Sequence, residues 1–128
     1  MHRLASKLAL AAAAVLVATA AAQAEDLFAV AYGNTVTQTM PDGSKTVTYV
    51  NPDRTWEQHM ADGKVMKGTY AWKDEHTACF TMVDPAPKDP ANATNCNSIE
   101  GTHKVGDTWT EQLPDNKGAI TMAISAGR

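Results

Sequence analysis

The stretch KTVTYVNPDRTWEQHMADGKVMKGTYAWKDEHTACFTMV, residues 45–83, decides the fold. Four short runs rich in Thr, Val and aromatic residues follow one another, separated by turns that contain aspartate. The first is Lys45–Val50, then Thr55–Met60, Val65–Trp72 and His76–Val83. Side-chain character alternates along them. Trp56, Gln58 and Met60 share one face of the second run, against Thr55, Glu57 and His59. Met66, Gly68, Tyr70 and Trp72 oppose Val65, Lys67, Thr69 and Ala71, and Ala78, Phe80 and Met82 oppose Cys79, Thr81 and Val83. A period of two places alternate residues on opposite faces of a pleated sheet. The aromatic face is expected to be the core, with Gly68 leaving room for a large neighbour and Cys79 pointing to the other side.

Working outward, Asn34–Met40 supplies one more run ahead of this stretch, closed by Pro41-Asp42-Gly43-Ser44. The turn aspartates Asp42, Asp53, Asp62 and Asp74 are spaced by 11, 9 and 12 residues, the rhythm of an antiparallel meander. Asp-Gly reads as a two-residue hairpin signal, because glycine takes positive φ without steric cost. Cys96–Ile99 is a further short strand, and Thr108–Leu113 with Ala119–Ser125 form a last hairpin. Between Asp84 and Asn95 the prolines Pro85, Pro87 and Pro90 exclude regular structure. Before the first strand, Glu25–Tyr32 reads as a helix of one to two turns ended by Gly33. The expected fold is all-β: a small up-and-down meander or barrel of about eight short strands, in the lipocalin or calycin manner.

The other end of the argument is the N-terminus. His2, Arg3 and Lys7 precede an apolar run from Leu8 to Ala22, and Ala22-Gln23-Ala24 is a small-residue cleavage site before Glu25. This is the pattern of a secretory signal peptide. The run is shorter than the roughly 20 residues that span a bilayer. The chain therefore divides into a cleavable leader, 1–24, and one domain, 25–128. All 14 acidic residues lie in that domain beside nine basic ones, so its net charge is −5 rather than the −3 of the whole chain. A mildly acidic surface disfavours nucleic acid as a partner. Export to the periplasm or beyond gives Cys79 and Cys96 an oxidising compartment, where the pair is expected to form a structural disulfide.

Motifs for chemistry are sparse. His59, His76 and His103 have no partner at metal-ligand spacing, and no calcium loop, nucleophile elbow or phosphate-binding glycine loop is present. No cofactor, metal or catalytic residue is expected. Trp56, Tyr70, Trp72 and Trp109 read first as core. Their alternative role is to line an apolar pocket at a barrel mouth. Pro85, Pro87, Lys88 and Pro90 stand in the loop that the disulfide would close, a candidate interaction surface.

The motifs Tyr32-Gly33-Asn34-Thr35-Val36, Asn51-Pro52-Asp53-Arg54-Thr55-Trp56, Gly68-Thr69-Tyr70-Ala71-Trp72, Val105-Gly106-Asp107-Thr108-Trp109 and Ala126-Gly127-Arg128, together with the cysteine pair, carry a resemblance. The chain resembles a group of small exported alphaproteobacterial proteins, over about Tyr32 to Arg128. The resemblance implies a compact β protein and brings no catalytic residues. Arg54 stands where that group has glycine, so its hairpin is open to a different turn type. In layout alone the chain also looks like periplasmic barrel inhibitors of metalloproteases and lysozyme. The reading is a non-catalytic binding or interaction module, with an unknown protein or a small apolar ligand as partner. The alternative is an inhibitor of an envelope hydrolase.

Overall fold

The computed structural model describes residues 26–128; the expected leader and its Ala24/Glu25 junction lie outside the described residues. Eight antiparallel strands form one curled sheet: β1 Thr35–Thr39, β2 Lys45–Val50, β3 Thr55–His59, β4 Val65–Asp74, β5 Thr77–Asp84, β6 Thr94–Ser98, β7 Thr108–Gln112 and β8 Ala119–Ser125. The order across the sheet is β6-β5-β4-β3-β2-β1-β8-β7, so six strands run as a meander and the last hairpin docks through β8 on β1. The result is a half-barrel with β6 and β7 as its two edges.

The register fixes the faces. Trp56 lies opposite Gly68, Tyr70 opposite Phe80, and Val36 between Thr48 and Ile124. These residues point into the concave side. Their odd-numbered neighbours on β1 to β5, including Tyr49, Glu57, Lys67 and Cys79, point to the convex side. The core is Ala31, Val50, Trp56 and Tyr70, with Phe28, Tyr32, Val36, Met66, Phe80 and Met82 packed on it. Gly68 makes the room the sequence suggested: a Cβ there would stand 2.6 Å from the Trp56 ring.

Three hairpins share one construction. In Met40–Ser44, Asn51–Thr55 and Met60–Lys64 the first residue's N–H reaches the fifth residue's carbonyl, and the fourth residue's N–H reaches the first residue's carbonyl. The loops are thus three residues long, not two. The fourth position takes positive φ: Gly43 at 89°, Arg54 at 72°, Gly63 at 92°. The aspartate in each accepts the N–H two residues on, from Ser44, Thr55 and Lys64. Arg54 therefore does not change the turn type. It is forced into the left-handed conformation that glycine occupies in the other two.

Two other expectations need correction. The lead-in is a single 3₁₀ turn, Ala29–Ala31, rather than a one- to two-turn helix. Asp26 ties it down by accepting the Phe28 N–H, and the chain then turns directly into β1. The proline-rich segment is not wholly irregular: β5 runs on to Asp84, β6 starts at Thr94, and Pro90–Asn92 forms a 3₁₀ turn. Proline suits that turn because it stands at its start, where no N–H is needed, and Asp89 caps it from Ala91 N–H.

Cys79 and Cys96 lie directly opposite each other on β5 and β6 and are joined by a disulfide. The staple sits on the convex side, away from Phe80, and closes the segment that holds Pro85, Pro87, Lys88 and Pro90. Among the described residues no helix is long and apolar enough to cross a membrane.

Candidate functional site

The concave side has two halves of different chemistry. At the end where the N-terminal turn enters, aromatic rings fill the space. Phe28 lies 5.2 Å from Tyr70, 4.6 Å from Trp72 and 5.7 Å from Phe80, centre to centre, and Trp56 meets Phe80 edge-on at 6.5 Å. Trp56 and Tyr70 are buried and Trp72 is half-buried under Phe28. Of the four aromatics considered as core or pocket lining, Trp56 and Tyr70 belong to the packed core. Trp56 also donates its indole N–H to the Thr69 carbonyl. Trp109 lies outside this cluster, on the edge strand β7 opposite Met122. It stacks on His103 at 3.5 Å and donates to Glu111.

A polar knot seals the same end. Tyr32 donates to Asp26 at 2.6 Å, Tyr70 contacts the Asn51 carbonyl at 2.9 Å, and the two hydroxyls are 3.0 Å apart. Two hydroxyl protons thus serve three contacts. Burial first, then the bonds to Asp26 and Tyr70, raises the Tyr32 hydroxyl pKa far above its ordinary value, so the ring stays neutral. Arg128 donates to the Val50 carbonyl and the Asn51 side chain, both at 2.7 Å, and its guanidinium lies over Tyr49 at 5.0 Å. Gly127 donates to the Asn34 side chain. The Tyr-Gly-Asn, Asn-Pro-Asp-Arg and Gly-Arg motifs of the sequence converge here, and their work is structural.

The opposite half is lined by flexible and polar side chains. Met66 lies opposite Gln58 and Met122 opposite Gln38; Met82, opposite Gly68, packs on the aromatic cluster, and Met66 reaches its margin. Met40 and Met60 continue the same face at the ends of β1 and β3. All five methionines of the described residues therefore belong to the concave side, and each is half-buried rather than sealed. Among them the Gln58 amide reaches Thr48 at 3.2 Å and Gln38 at 3.4 Å. Thr46 is buried beside them. Thioethers adapt their shape to what they contact, and the two amides offer a hydrogen-bonding point within an apolar lining. Parity carries the sequence signal for this half: all five methionines of the described residues have even numbers, as do the core-facing residues of β1 to β5 and β8.

Other groupings are weaker. On the convex face Glu57 lies 3.4 Å from His59 and 3.5 Å from Lys67. His59 first, and then Lys67, holds the Glu57 carboxyl below its ordinary range. An open groove of about 470 Å³ runs past this pair between Trp56, Gly68, Val83 and Asp84. A smaller pocket of about 190 Å³ lies between the N-terminal turn and His103. Among the described residues no group of three or more His, Cys, Asp or Glu is placed to hold a metal ion. Pro85, Lys88 and Pro90 are exposed and Pro87 is half-buried, so the stapled segment stands at the surface.

Comparison with known proteins returned no match among family models, curated proteins or solved structures.

Proposed function

We propose that this chain is a non-catalytic binding module of the bacterial envelope, and that it binds through the methionine-lined half of its concave face. The observation that carries the reading is the asymmetry of that face. Its aromatic half is filled and sealed by the N-terminal turn. Its other half presents the half-buried Met40, Met60 and Met122, with Met66 at its margin, around the Gln38 and Gln58 amides. The ligand class that fits is a small, mainly apolar molecule with one hydrogen-bonding group. Export, and the oxidising compartment it implies, rest on the leader and on the Cys79–Cys96 pair. The test is binding of a medium-chain fatty alcohol, followed by displacement of the apolar dye ANS. Saturable displacement that is lost in Met66→Lys but kept in Lys67→Ala, on the convex face, supports the reading. Absence of saturable binding by the folded protein overturns it.

The exposed, stapled segment around Pro85–Pro90 favours a second reading, an inhibitor of an envelope hydrolase. A loop held at its base by a disulfide loses less entropy when it enters a cleft. Undiminished lysozyme and protease activity in the presence of the protein argues against it.

A further inference from the structure

We propose that β6 is a self-pairing edge, through which two copies of this chain join antiparallel about a two-fold axis at Cys96. The sheet ends in two edge strands, β6 and β7. All five residues of β6 are exposed, and the strand reads Thr-Asn-Cys-Asn-Ser. It contains no charge, proline or lysine, the usual means of preventing edge pairing. By contrast, β7 carries Glu111, and Trp109 is engaged by His103 from the preceding loop.

The backbone of β6 points the right way. Met82 N–H donates to the Ala93 carbonyl at 3.1 Å, and Ile99 N–H donates to the His76 carbonyl at 2.6 Å. In an antiparallel ladder these bonds recur at every second residue. Ala93, Asn95, Asn97 and Ile99 are therefore turned to β5, while the N–H and C=O groups of Thr94, Cys96 and Ser98 are turned to the open side. The disulfide to Cys79 holds the strand in this setting.

The strand is also its own complement. With Cys96 on the axis, Thr94 meets the partner's Ser98 and Asn95 meets the partner's Asn97. The outward groups of Thr94, Cys96 and Ser98 then find donors and acceptors in their counterparts. The two asparagines fall at the close, non-hydrogen-bonded pairs, where their amides can bond across the axis. Half-buried Ala93 and Ile99 come opposite each other at the ends of the contact. No two like charges meet within the paired strands. A second copy is thus a better occupant than an arbitrary extended peptide, because an isologous contact satisfies both strands at once.

The test is sedimentation of the disulfide-intact chain over a range of concentrations, with amide hydrogen exchange on the same samples. A concentration-dependent dimer is expected, in which the Thr94, Cys96 and Ser98 amides become protected only in the dimer. Ser98→Pro removes an outward N–H and leaves the β5 ladder in place, and should raise the dimer dissociation constant about tenfold or more. Thr110→Lys on β7 should leave it unchanged. If Ser98→Pro does not fold, exchange in the unaltered chain decides alone. A monomer at all concentrations, with those three amides exchanging freely, overturns the proposal. So does a dimer broken by Thr110→Lys and not by Ser98→Pro.

Discussion

Trp56 on β3 packs against Gly68, the residue directly opposite it on β4, and occupies the space a side chain there would need. A Cβ on Gly68 would come within 2.6 Å of the indole and would overlap the Thr81 carbonyl oxygen on β5. Three strands thus meet at one point, where the β4–β5 register also shifts. Gly68→Ala is expected to destabilise the fold by about 1–3 kcal/mol, the usual range for overpacking. Urea unfolding followed by tryptophan fluorescence measures it. A neutral effect would mean that β4 and β5 separate more easily than their pairing implies.

Much of this was legible beforehand. Alternation in Thr55–Met60 and Val65–Trp72 gave the strands and their inward faces, because one buried face forces a period of two. The turn aspartates marked the hairpins. Loop length was not legible, since Asp-Gly fits both two- and three-residue loops, and only the Met40–Ser44 and Met60–Lys64 pairings distinguish them. The site was less visible. Composition left the aromatic residues open between core and pocket lining; Trp56, Tyr70 and Phe80 meet across adjacent strands and fill their own space. Alternation puts Met60, Met66 and Met82 on the aromatic face, but Met122 joins them only through the pairing of β8 with β1. The edge character of β6 depends on which strands remain unpaired, which no local pattern encodes.

The turn residues provide a matched comparison. Arg54 at φ 72° carries left-handed strain that Gly43 and Gly63 avoid. Relief of that strain, about 1–2 kcal/mol, outweighs the loss of an exposed cation–π contact with Tyr70, about 0.5–1 kcal/mol. Arg54→Gly should therefore raise stability by up to about 1.5 kcal/mol. Gly63→Ala should lower it by about 1–2 kcal/mol, although nothing lies within 4 Å of the added methyl group. Chemical denaturation of both variants checks the pair, and a stability loss in Arg54→Gly would assign the guanidinium a larger role.

The disulfide joins residues 17 apart in sequence. Loop-closure entropy gives about 3 kcal/mol for a loop of this size. Reduction, or the paired change Cys79→Ala with Cys96→Ala, should lower the unfolding free energy by about that amount. Oxidised and reduced samples unfolded in parallel give the difference.

Stability should fall at both extremes of pH. The Glu57 carboxyl is held low by His59 and Lys67, and the Asp42 carboxyl by Ser44. Their contributions are present above the ordinary carboxylate pKa and are lost as pH falls through the lower folded values. Tyr32 has the opposite sign. Its folded pKa is raised, so its contribution is complete below about pH 10 and is lost as pH rises beyond that. Thermal unfolding between about pH 9 and 11 should show a steeper alkaline loss in the unaltered chain than in Tyr32→Phe. Equal slopes would mean that Tyr32 ionises as freely in the fold as outside it.

The most direct measurement of the binding account is the NMR spectrum of the chain labelled with ¹³C at its methionine methyl groups, titrated with a medium-chain fatty alcohol. Saturable shifts at Met60, Met66 and Met122, with the Trp56 indole N–H unmoved, are the predicted result. Shifts confined to the tryptophans, or methionine signals that do not respond to the titration, would contradict it.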